Sequence, residues 1–219
     1  MFVFITAVLI LAGSAIDLGE AGDRADAVMA CWYPGAQGGK AVADLILGRV
    51  SPSGKLPVTF YRNEDLERMP DFTDYSMRER TYRYFTGEPL YPFGYGLRYG
   101  ACSLSALEAD RQAARVRVRN ESARTLEEVV ELYLKDEGSN LAPPNPILCG
   151  FARVHLAAGE EKELRVAIDP RAFTVVDDEG KRIPGSGSWT LYAGFGGPDK
   201  RTEALTGRKA LSLPIRLTP

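Results

Sequence analysis

An acidic stretch followed by aromatic residues holds the side chains best suited to ligand binding or acid–base chemistry. No two of its carboxylates have a spacing that singles out a pair for proton transfer, so a solvated loop is the simplest interpretation. Arg80, Tyr82 and Tyr84 follow directly, and the two tyrosines are two positions apart, so both numbers are even and the rings would share a face in an extended chain. We predict these three as candidate binding residues, although large aromatic rings more often serve packing. The carboxylates include Asp65, Glu67, Asp71, Asp74 and Glu79.

Two glycine-containing segments fall short of nucleotide-binding motifs. Gly38-Gly39-Lys40-Ala41 has alanine where a phosphate loop needs a hydroxyl for magnesium, and Pro34 stands where its first glycine should be. The second segment, Gly94-x-Gly96-x-x-Tyr99, lacks the third glycine and follows a proline turn rather than a strand. We therefore predict no nucleotide cofactor.

Charge and histidine content exclude further classes of site. The net charge is −2 with both signs interspersed, and no basic run suggests a nucleic-acid partner. His155 is the one histidine, which excludes a multi-histidine metal site. It shares a strand face with Arg153, and no serine or cysteine constellation accompanies it, so we interpret it as solvated. We expect no metal and no cofactor.

Residues 80–100, here called the aromatic connector, separate two parts of different character. The connector holds five of the ten tyrosines. Its prolines fix φ and remove backbone donors, and its glycines allow tight turns, so we predict a fixed, irregular connection rather than a long helix or a central strand. We expect four of its rings to pack the two parts together: Tyr91, Phe93, Tyr95 and Tyr99.

Before the connector, the sequence follows an α/β pattern. A short apolar segment, Ala27 to Ala30, precedes a helix predicted from about Gly39 to Leu47, with Gly48 as its stop. Leu56 to Tyr61 is predicted to form a strand, with Pro57 near its start or on an edge. This order is typical of an open α/β sheet, but it supplies too few elements to cover both faces of one.

The N-terminal apolar run, Phe2 to Leu11, allows two interpretations. Followed by Ala12-Gly13-Ser14-Ala15, it resembles a secretory signal, but no Lys or Arg precedes it. It is also too short to span a bilayer as a helix. We prefer a buried strand from Val3 to Leu11. If the neighbouring strands of its sheet lie outside this sequence, an apolar edge of the sheet would be exposed and would favour a homodimer. Three scattered cysteines favour a reducing, cytoplasmic compartment; secretion is the alternative if residues 1–15 act as a signal peptide.

After Gly100, apolar residues alternate with polar ones and turn residues separate the runs. This period of two predicts an antiparallel β-sandwich from about Cys102 to Pro219. The residues expected to be buried are Val116, Val118, Leu132, Leu134, Val154, Val166 and Leu191.

Three motifs together resemble the C-terminal half of family 3 glycoside hydrolases. The first, residues 32–44, reads Trp-Tyr-Pro-Gly-Ala-Gln-Gly-Gly-Lys-Ala-Val-Ala-Asp; the others are residues 48–60 and 80–96. The later part is similar to that family's fibronectin type III-like domain, through residues 129–133, 150–154 and 189–194. The resemblance covers nearly the whole chain and implies an α/β fragment, the end of an α/β sandwich domain, in residues 1–100. An all-β immunoglobulin-like, fibronectin type III-like sandwich is implied in residues 101–219.

The same resemblance implies a function but no catalytic residue within this chain. Family members are retaining β-glucosidases and β-xylosidases, whose aspartate nucleophile lies in an N-terminal barrel and whose glutamate acid/base lies upstream in the second domain. The chain would then need that barrel region as a partner, in cis or in trans, to hydrolyse an oligosaccharide or glycoside. In such an enzyme Arg80, Tyr82 and Tyr84 could face a sugar. A non-catalytic carbohydrate- or partner-binding module is the alternative.

Overall fold

A computed structural model describes residues 5–216, and its N-terminal half is a small α/β unit. Strands β1 (Ala7–Ile10) and β2 (Ala27–Ala30) pair in parallel, with Ala7 opposite Ala27. The crossover between them contains α1 (Glu20–Asp23). The predicted N-terminal strand is confirmed over β1, while Val3 and Phe4 lie outside the described residues. Its predicted burial holds only for Ile10, since Leu9 is 36% exposed and Leu11, just beyond the strand, is 63% exposed.

The predicted helix is also present, as α2 (Gly38–Ile46). Lys40 Nζ lies 2.6 Å from Asp44 Oδ2, an (i, i+4) ion pair along the helix surface. Gly48 follows the helix with φ +65°, a left-handed conformation that suits glycine and ends the helix as predicted.

The predicted strand from Leu56 to Tyr61 is wrong. The segment is irregular and makes only a single antiparallel bridge, between Phe60 and Tyr91. Leu56 N donates to Tyr95 O at 2.9 Å, and Phe60 N donates to Tyr91 O at 2.9 Å. A regular ladder cannot continue between these bonds, because Pro57 and Pro92 carry no N–H and Gly94 turns the partner chain.

The connector is irregular, as predicted. A 3-10 helix (Asn63–Arg68) precedes it, and α3 (Thr81–Tyr84) forms one turn at its start. No helix within residues 5–216 combines the length and apolar character needed to cross a membrane.

The C-terminal half is the predicted antiparallel sandwich. Its elements are β3 (Cys102–Ala109), β4 (Ala113–Asn120), β5 (Leu126–Asp136), β6 (Ile147–Leu156), β7 (Glu161–Ala167), β8 (Thr174–Val176), β9 (Arg182–Pro184), β10 (Ser188–Gly194), α4 (Lys200–Thr206) and β11 (Leu211–Arg216). A second 3-10 helix (Pro170–Phe173) precedes β8. One sheet has the order β11-β10-β5-β6 and the other β3-β4-β7, while β8 and β9 form a separate hairpin.

The predicted sandwich core is confirmed. All seven residues expected to be buried are so, with Val154 the most exposed at 6%. They belong to two packed clusters, one around Trp189 and Leu132 and the other around Val116 and Val130. His155 is solvated as expected, with a side chain 65% exposed.

Apolar burial differs sharply between the two halves of the described chain. Only three of the 24 buried apolar residues precede residue 101, namely Ile10, Phe60 and Phe85. In contrast, 15 of the 18 exposed large apolar residues lie there. A packed core of native density therefore exists in the sandwich, while the α/β unit presents apolar surface to solvent.

Truncating a core leucine should confirm where the stability resides. Leu191→Ala should lower the free energy of unfolding by about 2–5 kcal/mol, because Leu191 is fully buried and its removal leaves a cavity. Leu141→Ala, at a site 44% exposed, should change it by less than about 0.5 kcal/mol. Urea denaturation of both variants measures the difference, and equal losses would contradict the assigned core.

Candidate functional site at the aromatic connector

Arg80 fixes the acidic loop to the connector. Its Nη2 donates to the carbonyl oxygens of Pro70 at 3.2 Å and Asp71 at 2.7 Å. The Asp71 carboxylate accepts from Thr73 Oγ1 at 2.6 Å and from the Thr73 backbone N–H at 2.9 Å, and these bonds lower the pKa of Asp71. The guanidinium and this carboxylate are thus engaged within the loop itself.

Asp65 differs from the solvated carboxylates expected in this loop. It is 6% exposed, and its Oδ1 accepts from Arg68 Nη2 at 2.8 Å. Its Oδ2 accepts from the backbone N–H of Arg62 at 3.3 Å. Its role is to cap the N-terminal end of the 3-10 helix, where Arg62 is the N-cap residue, and this explains why it is buried with partners.

Tyr82 is packed on both sides and its hydroxyl is bonded. The ring stacks on Phe93 at 4.1 Å between centroids and meets Tyr133 edge-on at 6.3 Å. The backbone N–H of Leu148 donates to the Tyr82 hydroxyl at 3.0 Å. Tyr84 is half-buried on the same turn. A substrate role for Arg80, Tyr82 and Tyr84 stays a prediction, but the structure also gives Arg80 and Tyr82 structural partners.

The remaining connector rings join the two halves. Phe93 meets Tyr133 of β5 edge-on at 6.4 Å, and the Tyr99 hydroxyl donates to Leu45 O at 3.0 Å. Tyr91 stacks on Tyr95 at 5.5 Å and contacts Phe60 at 6.2 Å. The connector thus packs between the α/β unit and the sandwich, as its composition predicted.

Beneath the connector lies a buried carboxylate of β5, at a position that alternates with core residues along the strand. Glu131 is 5% exposed and Tyr133 is 1% exposed, because the connector covers this side of β5. A Cβ at Gly94 would overlap both Glu131 Oε2 and the Tyr133 hydroxyl. The available signal was the mixture of apolar and polar residues on both faces of β5, which is typical of a strand covered on both sides.

Burial raises the pKa of Glu131 to about 7. The Tyr133 hydroxyl donates to Glu131 Oε2 at 2.9 Å and, with the positive charge of Lys55, partly offsets this rise. The negative charge of Glu128 acts in the same direction as burial. A carboxyl group that titrates near neutral pH therefore lies at the junction of the two halves.

Glu128 is the centre of a buried ionic cluster drawn from three parts of the chain. It is 0% exposed; its Oε1 lies 3.0 Å from Lys55 Nζ, and its Oε2 pairs with Arg98 Nη1. Lys55 comes from the α/β unit, Arg98 from the connector and Glu128 from β5. Lys55 Nζ also donates to Gly96 O at 3.1 Å and Phe195 O at 2.8 Å, which extends the link.

An open cavity of about 470 Å³ lies beside this cluster. The connector, β3, α4 and β11 line it, and its charged residues include Arg98 and Arg208. Arg98 pairs with Glu128 and packs its guanidinium over the Phe195 ring at 4.4 Å, while Arg208 donates to Cys102 O. These two cations are therefore engaged within the protein rather than offered to a ligand.

Known proteins identify the chain's class. Residues 5–99 match the glycosyl hydrolase family 3 C-terminal domain, and residues 128–196 match the fibronectin type III-like domain. The chain is 28% identical to the crystal structure of a beta-glucosidase from Streptomyces venezuelae in complex with D-glucose, with a TM-score of 0.79. That match covers 96% of this chain and 29% of the other. A Bifidobacterium adolescentis GH3 beta-glucosidase gives a TM-score of 0.81 at 26% identity, over 96% of this chain and 32% of that one.

The chain belongs to glycoside hydrolase family 3, within the family's C-terminal region. It is 36% identical over 204 residues to a xylan 1,4-beta-xylosidase of Xylanibacter ruminicola, covering 89% of this chain and 23% of the relative. A periplasmic beta-glucosidase of Salmonella typhimurium is 30% identical over 206 residues, covering 85% of this chain and 27% of the relative. The chain thus spans about a quarter of the length of the curated relatives it matches.

Removing the central carboxylate of the ionic cluster should be strongly destabilising. Glu128→Ala leaves Lys55 and Arg98 buried without their counter-ion, which should cost about 3–5 kcal/mol. Glu127→Ala is the matched control, because Glu127 is 44% exposed and pairs with Arg153 at the surface, where the cost should stay below about 1 kcal/mol. Urea unfolding compares the two, and a cost for Glu128→Ala no larger than the control would contradict the role given to the cluster.

Glu131 should give the stability a pH dependence of defined sign. Its folded pKa of about 7 lies above the ordinary value of 4.5, so between these values the folded state binds more protons than the unfolded state. Stability should therefore fall as pH rises from 4.5 to about 7, by up to about 3 kcal/mol from this group.

Glu131→Gln should remove that part of the slope, since the amide does not titrate. Glu137→Gln, at an exposed position just beyond the end of β5, should retain it. Thermal or urea unfolding across this pH range tests both variants. An unchanged slope in Glu131→Gln would show that another group is responsible.

Proposed function

We propose that the chain is the C-terminal portion of a retaining β-glycosidase that hydrolyses terminal β-linked glucose or xylose from oligosaccharides or glycosides. The observation that carries this proposal is the uneven apolar burial, since 15 large apolar residues before residue 101 are exposed while the sandwich is packed. An exposed apolar surface of this kind marks a site that packs against another part of a protein. The relatives are about four times as long as this chain, and the remainder of such an enzyme would pack against this apolar surface.

The two halves have different parts in this proposal. Residues 1–100 form the last part of the α/β sandwich domain together with the connector, and residues 101–219 form the fibronectin type III-like domain. The partner is the N-terminal barrel region, joined in cis or supplied in trans. A homodimer through the same apolar surface and a cytoplasmic location are further expectations.

The chemistry proposed for the complete enzyme requires two carboxyl groups outside this chain. In retaining hydrolysis one carboxylate attacks the anomeric carbon and the other group protonates the leaving oxygen, at a separation of about 5 Å. Within the described residues, the buried carboxylates Asp65, Glu128, Glu131 and Asp136 have structural partners instead. The contribution of this chain is then to support the site rather than to supply its acid or nucleophile.

A non-catalytic binding module is the second candidate function. It is favoured by one observation, namely that the sandwich has a closed core of its own. Such a module would bind a carbohydrate or another protein without turnover.

Complementation distinguishes the two candidates. The purified chain should not hydrolyse aryl β-glucosides or β-xylosides, whereas fusion to the remaining part of the Xylanibacter relative should restore turnover. That remaining part alone is the control and should be inactive, because it lacks the region this chain matches. Hydrolysis by the isolated chain, abolished by mutating one of its own carboxylates, would overturn the proposal; a folded but inactive fusion would favour the binding module.

A further inference from the structure

The loops that follow β1 and β2 meet at one edge of the sheet, here called the carboxyl edge (residues 11–19 and 31–37). Because the two strands are parallel, their carboxyl ends lie side by side, and Cys31 N donates to Ile10 O at 2.8 Å just beyond the paired residues. In open α/β sheets, ligands bind in the crevice outside the carboxyl ends of the strands. This edge is therefore the part of the α/β unit where a ligand contact is expected.

Tyr33 is the most exposed large residue of the carboxyl edge. The residue is 81% exposed, and its ring lies against Gly13 of the neighbouring loop. A Cβ at Gly13 would come within 2.6 Å of the Tyr33 ring and hydroxyl, so the glycine leaves the space that the ring occupies. The Tyr33 ring thus contacts Gly13 on one side and is open to solvent on the other.

The residue before it, Trp32, holds the chain in an uncommon conformation. Its φ is +52°, in the left-handed region that costs a non-glycine residue about 1–3 kcal/mol and is maintained by surrounding contacts. One such contact is with buried Phe60, which the Trp32 ring meets edge-on at 6.3 Å. Trp32 is thus anchored towards the interior while Tyr33 stays at the surface.

A carboxylate lies on the same edge. Asp17 accepts from the backbone N–H groups of Gly19 at 2.8 Å and Asn63 at 3.0 Å, and these bonds hold the pKa of its carboxyl group below the ordinary value. An ionised carboxylate has about four acceptor positions, so positions remain for a hydroxyl donor. An open aromatic face and an ionised acceptor in loops at the same edge of the sheet match a ligand that has both apolar C–H groups and hydroxyls.

We propose that Tyr33 contacts sugar, stacking on the apolar C–H face of a β-linked pyranose at the carboxyl edge. Asp17, in the loop after β1 at the same edge, is the proposed acceptor for one of the sugar hydroxyls. The ligand class rests on the proposed function, because glucose and xylose in β-glycosides carry equatorial hydroxyls and leave their axial C–H groups on the ring faces. The position of the contact rests on the fold alone.

Saturation-transfer NMR on the full chain tests this contact. The probes are methyl β-D-glucopyranoside, methyl β-D-xylopyranoside and cellobiose, titrated to roughly ten times a millimolar Kd. Transfer should be strongest to the axial protons of one ring face. Tyr33→Ala should weaken binding about fivefold to tenfold, the loss of a central aromatic contact, and Tyr33→Phe should retain most of it.

Two further variants separate this contact from a general surface effect. Tyr75→Ala is the matched control, since Tyr75 is 87% exposed on another loop, and it should bind as the unaltered chain does. Gly13→Ala should weaken binding although Tyr33 is still present, because the added methyl displaces the ring. Circular dichroism of each variant verifies that the fold is retained.

The outcomes are separable from those of the complementation experiment. Absence of transfer to all three probes, or equal binding by Tyr33→Ala and the unaltered chain, would overturn the proposal even if the fused enzyme is active. Sugar binding lost with Tyr33→Ala would support it even if the fusion proves inactive.

Discussion

The buried ionic cluster of Lys55, Arg98 and Glu128 is the interaction on which the arrangement of the two halves depends. Taking a carboxylate out of water costs several kcal/mol, and only close cations with further hydrogen bonds offset that cost. Here the carboxylate belongs to the sandwich, while both cations come from the sequence before it. Neither half is electrostatically complete without the other, so the connector is held in one position and its rings pack where they do.

This coupling explains how a unit with almost no core of its own can be ordered. The two-stranded sheet and α2 bury few apolar side chains, yet Tyr99 and Phe60 join them to a connector that is fixed from below by β5. Order is thus transmitted from the sandwich to the carboxyl edge, where Tyr33 and Asp17 lie. In an enzyme of this family, a fibronectin type III-like domain arranged in this way would hold the last part of the α/β domain in its folded position through the connector.

Periodicity predicted the sandwich well, because each of its strands has one face against the opposite sheet, and residues such as Val116 and Leu191 reveal that face. Periodicity gave the wrong prediction where contacts with a distant part of the chain determine burial or strand pairing. Glu131 alternates with core residues, a pattern that predicts a solvated polar face, but the connector covers it. The predicted strand at Leu56 was wrong because its partner contains Pro92 and Gly94. Glu128 lies two residues before the core residue Val130 and therefore on the same face of the strand. A charged residue on the core face was the available signal for a buried ion pair.

The distance along the chain between the members of the ionic cluster has a consequence for biosynthesis. Glu128 follows Lys55 by 73 residues, so at about 5–20 residues per second it is made roughly 4 to 15 s later. During that interval Lys55, and Arg98 once it is made, lack their shared counter-ion, and the connector lacks Tyr133 of β5 to pack against. The link between the two halves can therefore form only after β5 has been made, and a slower ribosome would lengthen the time for which the members of this link are open to proteolysis.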